Sequence, residues 1–475
     1  MTPVAAPPRV HTVIPGLMVL RLFAGRGAFR GAGQVMAVVL AVVWGTGSYA
    51  VFANAIGVCG WLVFVPTAAE KVALKLVPRS GVLAADVARL AVRTAGVPAL
   101  ALLVVLLVTA ASTALTSAPG PTAQLYLAAA TWSVSTGALM TLSGLHRLRG
   151  RPELDARAFG AAAAVLVGVT AVTVVRHLAP ATHLLLLSAG LAPVTALSAV
   201  ALPGAWRRGR GRRRLLPLFA RSLLLLGLSE LVDAVAVAVL FTLLAATGRL
   251  ADSGPFYLTL LPYGVLCSFA MYLLRLRQPA TSQRLRGGGA AAGRAQAVRL
   301  LRRVERAGAV VLLVLAGAGA AVLASPALRD AAGLRRAPDG AAAAPEPRLF
   351  AVLAVLGLVE TVCYLTVLYA SYLLENTTGA VLVRTANAAV VRLGVAVGTG
   401  ALLVPWFGAP GAYTALVVSL VVHAGLLRRL VRRFPTSTTP PATPAPPATP
   451  APPATPAPPA TPAPPATPAP PARPL

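Results

Sequence analysis

The apolar positions of this chain fall into long runs, separated by short polar links that carry most of its arginines. Each run is at least 18 residues long, enough to cross a hydrocarbon core about 30 Å thick as an α-helix. The pattern predicts spans at 29–46, 50–72, 96–115, 121–144, 158–175, 180–205, 217–247, 255–275, 307–325, 349–374, 386–406 and 409–427. Turn residues stand in several links: Gly45-Thr46-Gly47, Pro119-Gly120-Pro121, Ser253-Gly254-Pro255 and Gly408-Ala409-Pro410-Gly411. The expected fold is all-α, with about twelve transmembrane helices in two six-helix lobes around a central cavity.

Composition agrees. Over 475 residues the chain is 57% hydrophobic and 12% charged, with a mean hydropathy of +0.76. A water-soluble fold cannot hide that much apolar surface, whereas lipid solvates it. The net charge of +29 raises nucleic acid as a partner, but the arginines form no basic patch interleaved with aromatics. They read as topology signals and as contacts to anionic lipid.

Links after even-numbered spans, counted with Lys71 and Arg275 at the span ends, hold twenty-five Lys and Arg, and links after odd-numbered spans hold six. The bias predicts a multi-pass protein of the inner (plasma) membrane with both termini cytoplasmic. The link 326–348, with four arginines, runs against it.

Residues 1–28 read as a cytoplasmic or interfacial lead-in. Residues 29–206 read as the first lobe, 207–216 as a basic linker and 217–433 as the second lobe. From 434 the Pro-Pro-Ala-Thr-Pro-Ala repeat reads as a disordered tail with a polyproline II bias. Cys59, Cys267 and Cys363 lie inside apolar runs and form neither a disulfide framework nor a metal spacing. No cofactor is expected.

The halves echo one another. Span six carries Gly190-Leu191-Ala192-Pro193 and is followed by Arg207-Arg208, while span twelve starts at Gly408-Ala409-Pro410-Gly411 and is followed by Arg428-Arg429. Halves of equal orientation are parallel repeats, and transporters use the seam between such repeats as an alternating-access cavity. Gly47-Ser48-Tyr49, Glu70-Lys71-Val72-Ala73-Leu74-Lys75-Leu76, Leu373-Leu374-Glu375-Asn376-Thr377-Thr378-Gly379 and Phe407-Gly408-Ala409-Pro410-Gly411-Ala412-Tyr413 carry a resemblance. They are similar to polysaccharide and lipid-linked-sugar flippases of the multidrug/oligosaccharidyl-lipid/polysaccharide (MOP) exporter superfamily. The resemblance implies two lobes around a cavity and outward movement of a lipid-linked saccharide. Multidrug relatives imply cation-coupled export of small amphiphiles instead.

Only thirteen residues are acidic. Glu230 and Asp233 share a helix face in span seven through their i, i+3 spacing, and Glu360 lies mid-way along span ten. A charge at that depth costs on the order of 2.5–3.5 kcal/mol on insertion scales, so it faces a cavity or a partner. These three are the candidates for coupling to a cation, proton or sodium. The competing reading is structural pairing, of Glu360 with Arg392 or of Glu230 with Arg221. Arg392 and Arg221 are also the candidates for gripping a substrate phosphate. Lys71 and Lys75, the only lysines, read as headgroup contacts at a helix end, and Trp206 and Trp406 suit the interface belt.

No G-x-x-x-x-G-K motif occurs, so ATP does not drive this chain directly. A transporter of lipid-linked saccharide or a related amphiphile, running on an ion gradient or membrane potential, is the leading expectation. A polysaccharide polymerase or ligase would need an outer catalytic loop, for which only 326–348, with Asp330, Arg335, Arg336, Asp339 and Glu346, qualifies. A membrane scaffold is the third expectation.

Overall fold

The computed structural model describes residues 16–79, 83–116, 121–208, 213–284, 290–324, 347–375 and 379–432. Every long element among them is a helix. The first helical run, Gly16–Cys59, is broken at Gly45, whose φ of 65° and ψ of −178° suit only glycine. It therefore yields α1 (16–44) and the start of α2, which continues from 46 through a 3₁₀ turn at Gly60–Val63 into Phe64–Leu76. The stretch Leu20–Leu76 is 57 residues, about 85 Å if straight, so the break turns it into two crossings.

The remaining helices are α3 (Ala84–Thr116), α4 (Pro121–Leu148), α5 (Pro152–Arg176), α6 (Pro180–Val200), α7 (Leu216–Ala246) and α8 (Ser253–Arg284). The last four are α9 (Ala290–Ala324), α10 (Pro347–Glu375), α11 (Gly379–Phe407) and α12 (Ala409–Arg432). The protein is a multi-pass α-helical membrane protein of two six-helix lobes, α1–α6 and α7–α12.

The outside is as apolar as the core, and the interior also holds buried polar and charged groups, unlike a soluble fold. Val42, Leu402 and Leu313 stand 81%, 70% and 71% exposed, while Asn54, Glu70, Asp155 and His183 are fully buried. Lipid solvates the first group, so helices associate through close packing and internal polar contacts.

The lobes repeat one packing scheme. In the first lobe α1 packs on α5, through Phe29 on Phe159, and α2 on α4, where Thr141 donates to the Pro66 carbonyl at 2.8 Å. In the second, α7 packs on α11 and α8 on α10, where Tyr263 donates to the Ala354 carbonyl at 2.6 Å. Likewise α4 meets α6 in one lobe, and α10 meets α12 in the other. Between lobes, α1 meets α8, with Phe23 stacked on Phe269 at 5.2 Å, and α2 meets α7. Exchanging the lobes maps the first seam onto the second, as parallel repeats require.

Several expectations shift. The first helix begins at Gly16, and Leu22 and Arg26 are buried, so 16–28 belongs to the bundle rather than to a lead-in. Trp206 is buried, not at an interface belt, whereas Trp406 is 79% exposed. Helices α3 and α9 start well before the spans read at 96 and 307, because their first turns are polar yet helical. The link 326–346, the Asn376-Thr377-Thr378 triplet and the tail lie outside the described residues.

Candidate functional site

A cavity of about 420 Å³ lies along the seam between the lobes, within the range typical of small-molecule sites. Helices α1, α2 and α4 form one wall, and α7, α8, α10 and α11 the other. Its lining is mostly apolar and includes the aromatic side chains Trp61, Phe64, Trp132 and Tyr257. The charged residues lining it are Arg30, Asp233, Arg275, Glu360 and Arg392. Asp233 and Arg392 form an ion pair with each other across α7 and α11. Glu360 and Arg30 have no hydrogen-bond or ion-pair partner among the described residues.

Beneath the cavity, where the even-numbered helices finish, a chain of buried ion pairs crosses the seam. Lys71 of α2 lies 2.9 Å from Glu230 of α7 and 3.0 Å from Glu375 of α10. Arg275 of α8 holds Glu70 of α2 at 2.5 Å and Glu230 at 2.7 Å. Arg147 of α4 pairs with Glu70 and reaches Asp155 of α5 at 3.4 Å. Asp155 also meets Arg26 of α1 at 3.1 Å and accepts from the Tyr272 hydroxyl at 3.1 Å. Alternating signs let each member neutralise the next, as taking so many charges from water requires.

The opposite end of the seam is closed differently. Asn54 donates to the Phe241 carbonyl at 2.7 Å and to the Ser253 hydroxyl at 3.2 Å. Phe241 packs on Phe256 at 5.0 Å, and Phe256 on Tyr413 edge-on at 5.0 Å.

No protein-family model matches the chain, and no curated protein matches it in sequence. Solved structures do. One is an inward-facing MATE family transporter of the MOP superfamily, with a TM-score of 0.57 and 14% identity, over 87% of this chain and 97% of that one. The fold is that of a MATE transporter. An outward-facing MATE structure matches with a TM-score of 0.56 and 14% identity, over 90% and 97% of the two chains. A Pyrococcus furiosus MOP superfamily transporter, described as having a binding pocket of reverse polarity, matches at 0.52 and 13%, over 87% and 95%.

Within this MATE fold the residues singled out by sequence separate. Glu360 reaches the cavity. Asp233 and Arg392 also line it, but Arg392 pairs with Asp233 and not with Glu360, because α11 packs on α7. Glu230 points into the ionic chain, held by Arg275 and Lys71, although it shares a helix face with Asp233. Arg221 is exposed and does not line the cavity. Lys71 and Lys75 are each 4% exposed, so neither contacts lipid headgroups; Lys75 donates to the Glu375 carbonyl. The facing lobe covers a helix end that would otherwise be solvated.

Arg30, Glu70, Arg147, Asp155, Arg275 and Glu375 escaped the sequence reading. One signal was available: the chain's two lysines fall within one helical turn, beside an acid, in a protein that otherwise uses arginine.

Proposed function

We propose that the protein is a secondary transporter that moves an amphiphilic substrate across the membrane by alternating access between its lobes. The carrying observation is the seam cavity, apolar enough for an acyl or aromatic body yet holding Glu360 and Arg30 without a charged partner among the described residues. A carboxylate this deep in the membrane, with no counter-charge among the described residues, is a place for a proton or monovalent cation to bind and leave. That supports ion coupling through Glu360. Arg30, facing the same space, supports a substrate with an anionic head such as the phosphate of a lipid-linked saccharide, since guanidinium grips phosphate through paired hydrogen bonds. On this reading the arginine-rich end faces the cytoplasm of a plasma membrane, in contact with anionic lipid.

A second reading rests on Glu360 alone: an exporter of cationic amphiphiles that uses the carboxylate as the cation's partner. Reconstituted protein separates the two. With an anionic lipid-linked sugar and a cationic dye offered in parallel, Glu360→Gln should lower gradient-driven uptake of either at least tenfold. Arg30→Gln should lower only the sugar lipid's, by about tenfold, the value of one charge-assisted contact. Movement of the sugar lipid unaffected by Arg30→Gln would remove the anionic-substrate reading. Equal transport by wild type and Glu360→Gln would remove the coupling role.

A further inference from the structure

The ammonium of Lys71 has an environment built from oxygen. It lies 2.9 Å from one Glu230 oxygen and 3.0 and 3.1 Å from the two Glu375 oxygens, and it donates to the Leu226 carbonyl at 3.2 Å. All these acceptors belong to the second lobe, whereas Lys71 is carried by α2 of the first. Ser229 donates to Glu375 at 2.8 Å. A further polar group points the same way. The hydroxyl of Ser371, 7% exposed, has no hydrogen-bond partner among the described residues and lines a cavity of about 30 Å³ beside Lys71, Glu230 and Glu375. A space that size holds one water or one small ion.

We propose that Lys71 is a tethered cation occupying a monovalent-cation site of the second lobe, so that opening of the arginine-rich end and uptake of a cation from solution are the same event. Carboxylate, carbonyl and hydroxyl oxygens are the ligands that hard cations take. While the lobes are closed at this end, the ammonium fills the site. When α2 withdraws, Glu375 keeps only the Ser229 hydroxyl among its described side-chain partners, and Glu230 keeps Arg275. A cation such as sodium then restores the lost charge and holds the lobe in its separated form. Linkage follows: the ion stabilises the open arrangement only because it binds that arrangement and not the closed one.

The side chain is suited to this. Lysine offers a compact charge with three donors that can point to three separate acceptors, whereas arginine's planar fork cannot converge on the same point.

The inference rests on the alternating-access reading, and its test separates the two. Full-length protein in nanodiscs at pH 7.5 is assayed for binding of radioactive sodium. Lys71→Met is expected to bind at least tenfold more tightly than wild type, and adding Glu230→Gln and Glu375→Gln is expected to erase the gain. Lys71→Gln, which keeps a donor for the Leu226 carbonyl, serves if Lys71→Met does not fold. In parallel, spin labels at Arg151→Cys and Arg428→Cys, with the three native cysteines replaced by alanine, report the distance across this end. A longer-distance population should grow with sodium in wild type and be present without it in Lys71→Met. Unchanged sodium affinity in both Lys71 variants, or a gain that survives loss of the two carboxylates, overturns the tethered-cation site. A single distance in every protein and condition would instead count against alternating access, while the binding data still judge the site.

Discussion

The two ends of the interlobe seam are closed by opposite chemistries. At the arginine-rich end, four carboxylates and their basic partners join α1, α2, α4 and α5 to α7, α8 and α10. At the other end, Phe241, Phe256, Tyr257 and Tyr413 pack on one another, and the Asn54 amide donates to the Phe241 carbonyl. An ionic closure is costly to form, because each charge must leave water, and costly to break one member at a time. It can, however, be undone by a substitute ion. An aromatic closure offers nothing for an ion to compete with and yields to shape alone. The transport proposed above would use this asymmetry, with ions acting at one end and the shape of the substrate at the other.

The largest effect is expected from Arg275→Met, which removes the residue that, among the described ones, bridges Glu70 and Glu230. Each carboxylate keeps a second cation, Arg147 or Lys71, so the cost should sit at the low end for a broken buried pair, about 3 kcal/mol. A melting curve in detergent should show the loss, and the loss should shrink when Glu70→Gln and Glu230→Gln are added. A melting point equal to wild type would mean that this end is not held by charge.

Next comes Gly57→Val, aimed at the aromatic end. A Cβ on Gly57 would run into the Phe241 ring, and overpacking of this kind costs about 1–3 kcal/mol. Phe241→Ala alone empties a fully buried site, but combined with Gly57→Val it should recover part of the loss. The coupling in that double-mutant cycle is the readout. Strict additivity would show that the two residues do not form the closure together. Raised ionic strength should leave Gly57→Val unmoved.

These two ends also show what the sequence could and could not convey. Span count, the break at Gly45 and the sharing of one packing scheme by two halves follow from local signals: apolar run length, turn glycines and recurring link residues. Glu360 was legible as a functional candidate because an acid deep in an apolar run must have a purpose. The Asp233–Arg392 pair was not, since it joins α7 to α11, while chain order suggested Arg392 for Glu360, one helix earlier. Lys71 and Lys75 were misread for a physical reason as well. A lysine at a helix end normally reaches for headgroups, and only the facing lobe, invisible in a linear pattern, turns that end into an interior.

The smallest expected effect is also the sharpest control on the contrast. Arg221 lies on α7, as Glu230 and Asp233 do, but it is exposed and lines neither the cavity nor the ionic chain. If position in the seam, and not charge in a span, decides which basic residues matter, Arg221→Ala should change stability by no more than about 0.5 kcal/mol. It should also leave transport within twofold of wild type, while Arg30→Gln and Lys71→Met do not. Its charge is identical to theirs in sign and its helix is the same one that carries two of the key acids. A transport loss in Arg221→Ala as large as that in Arg30→Gln would show that anionic groups are met along the outer face of α7 and not between the lobes, and the division into two chemically distinct closures would lose its bearing on the substrate path.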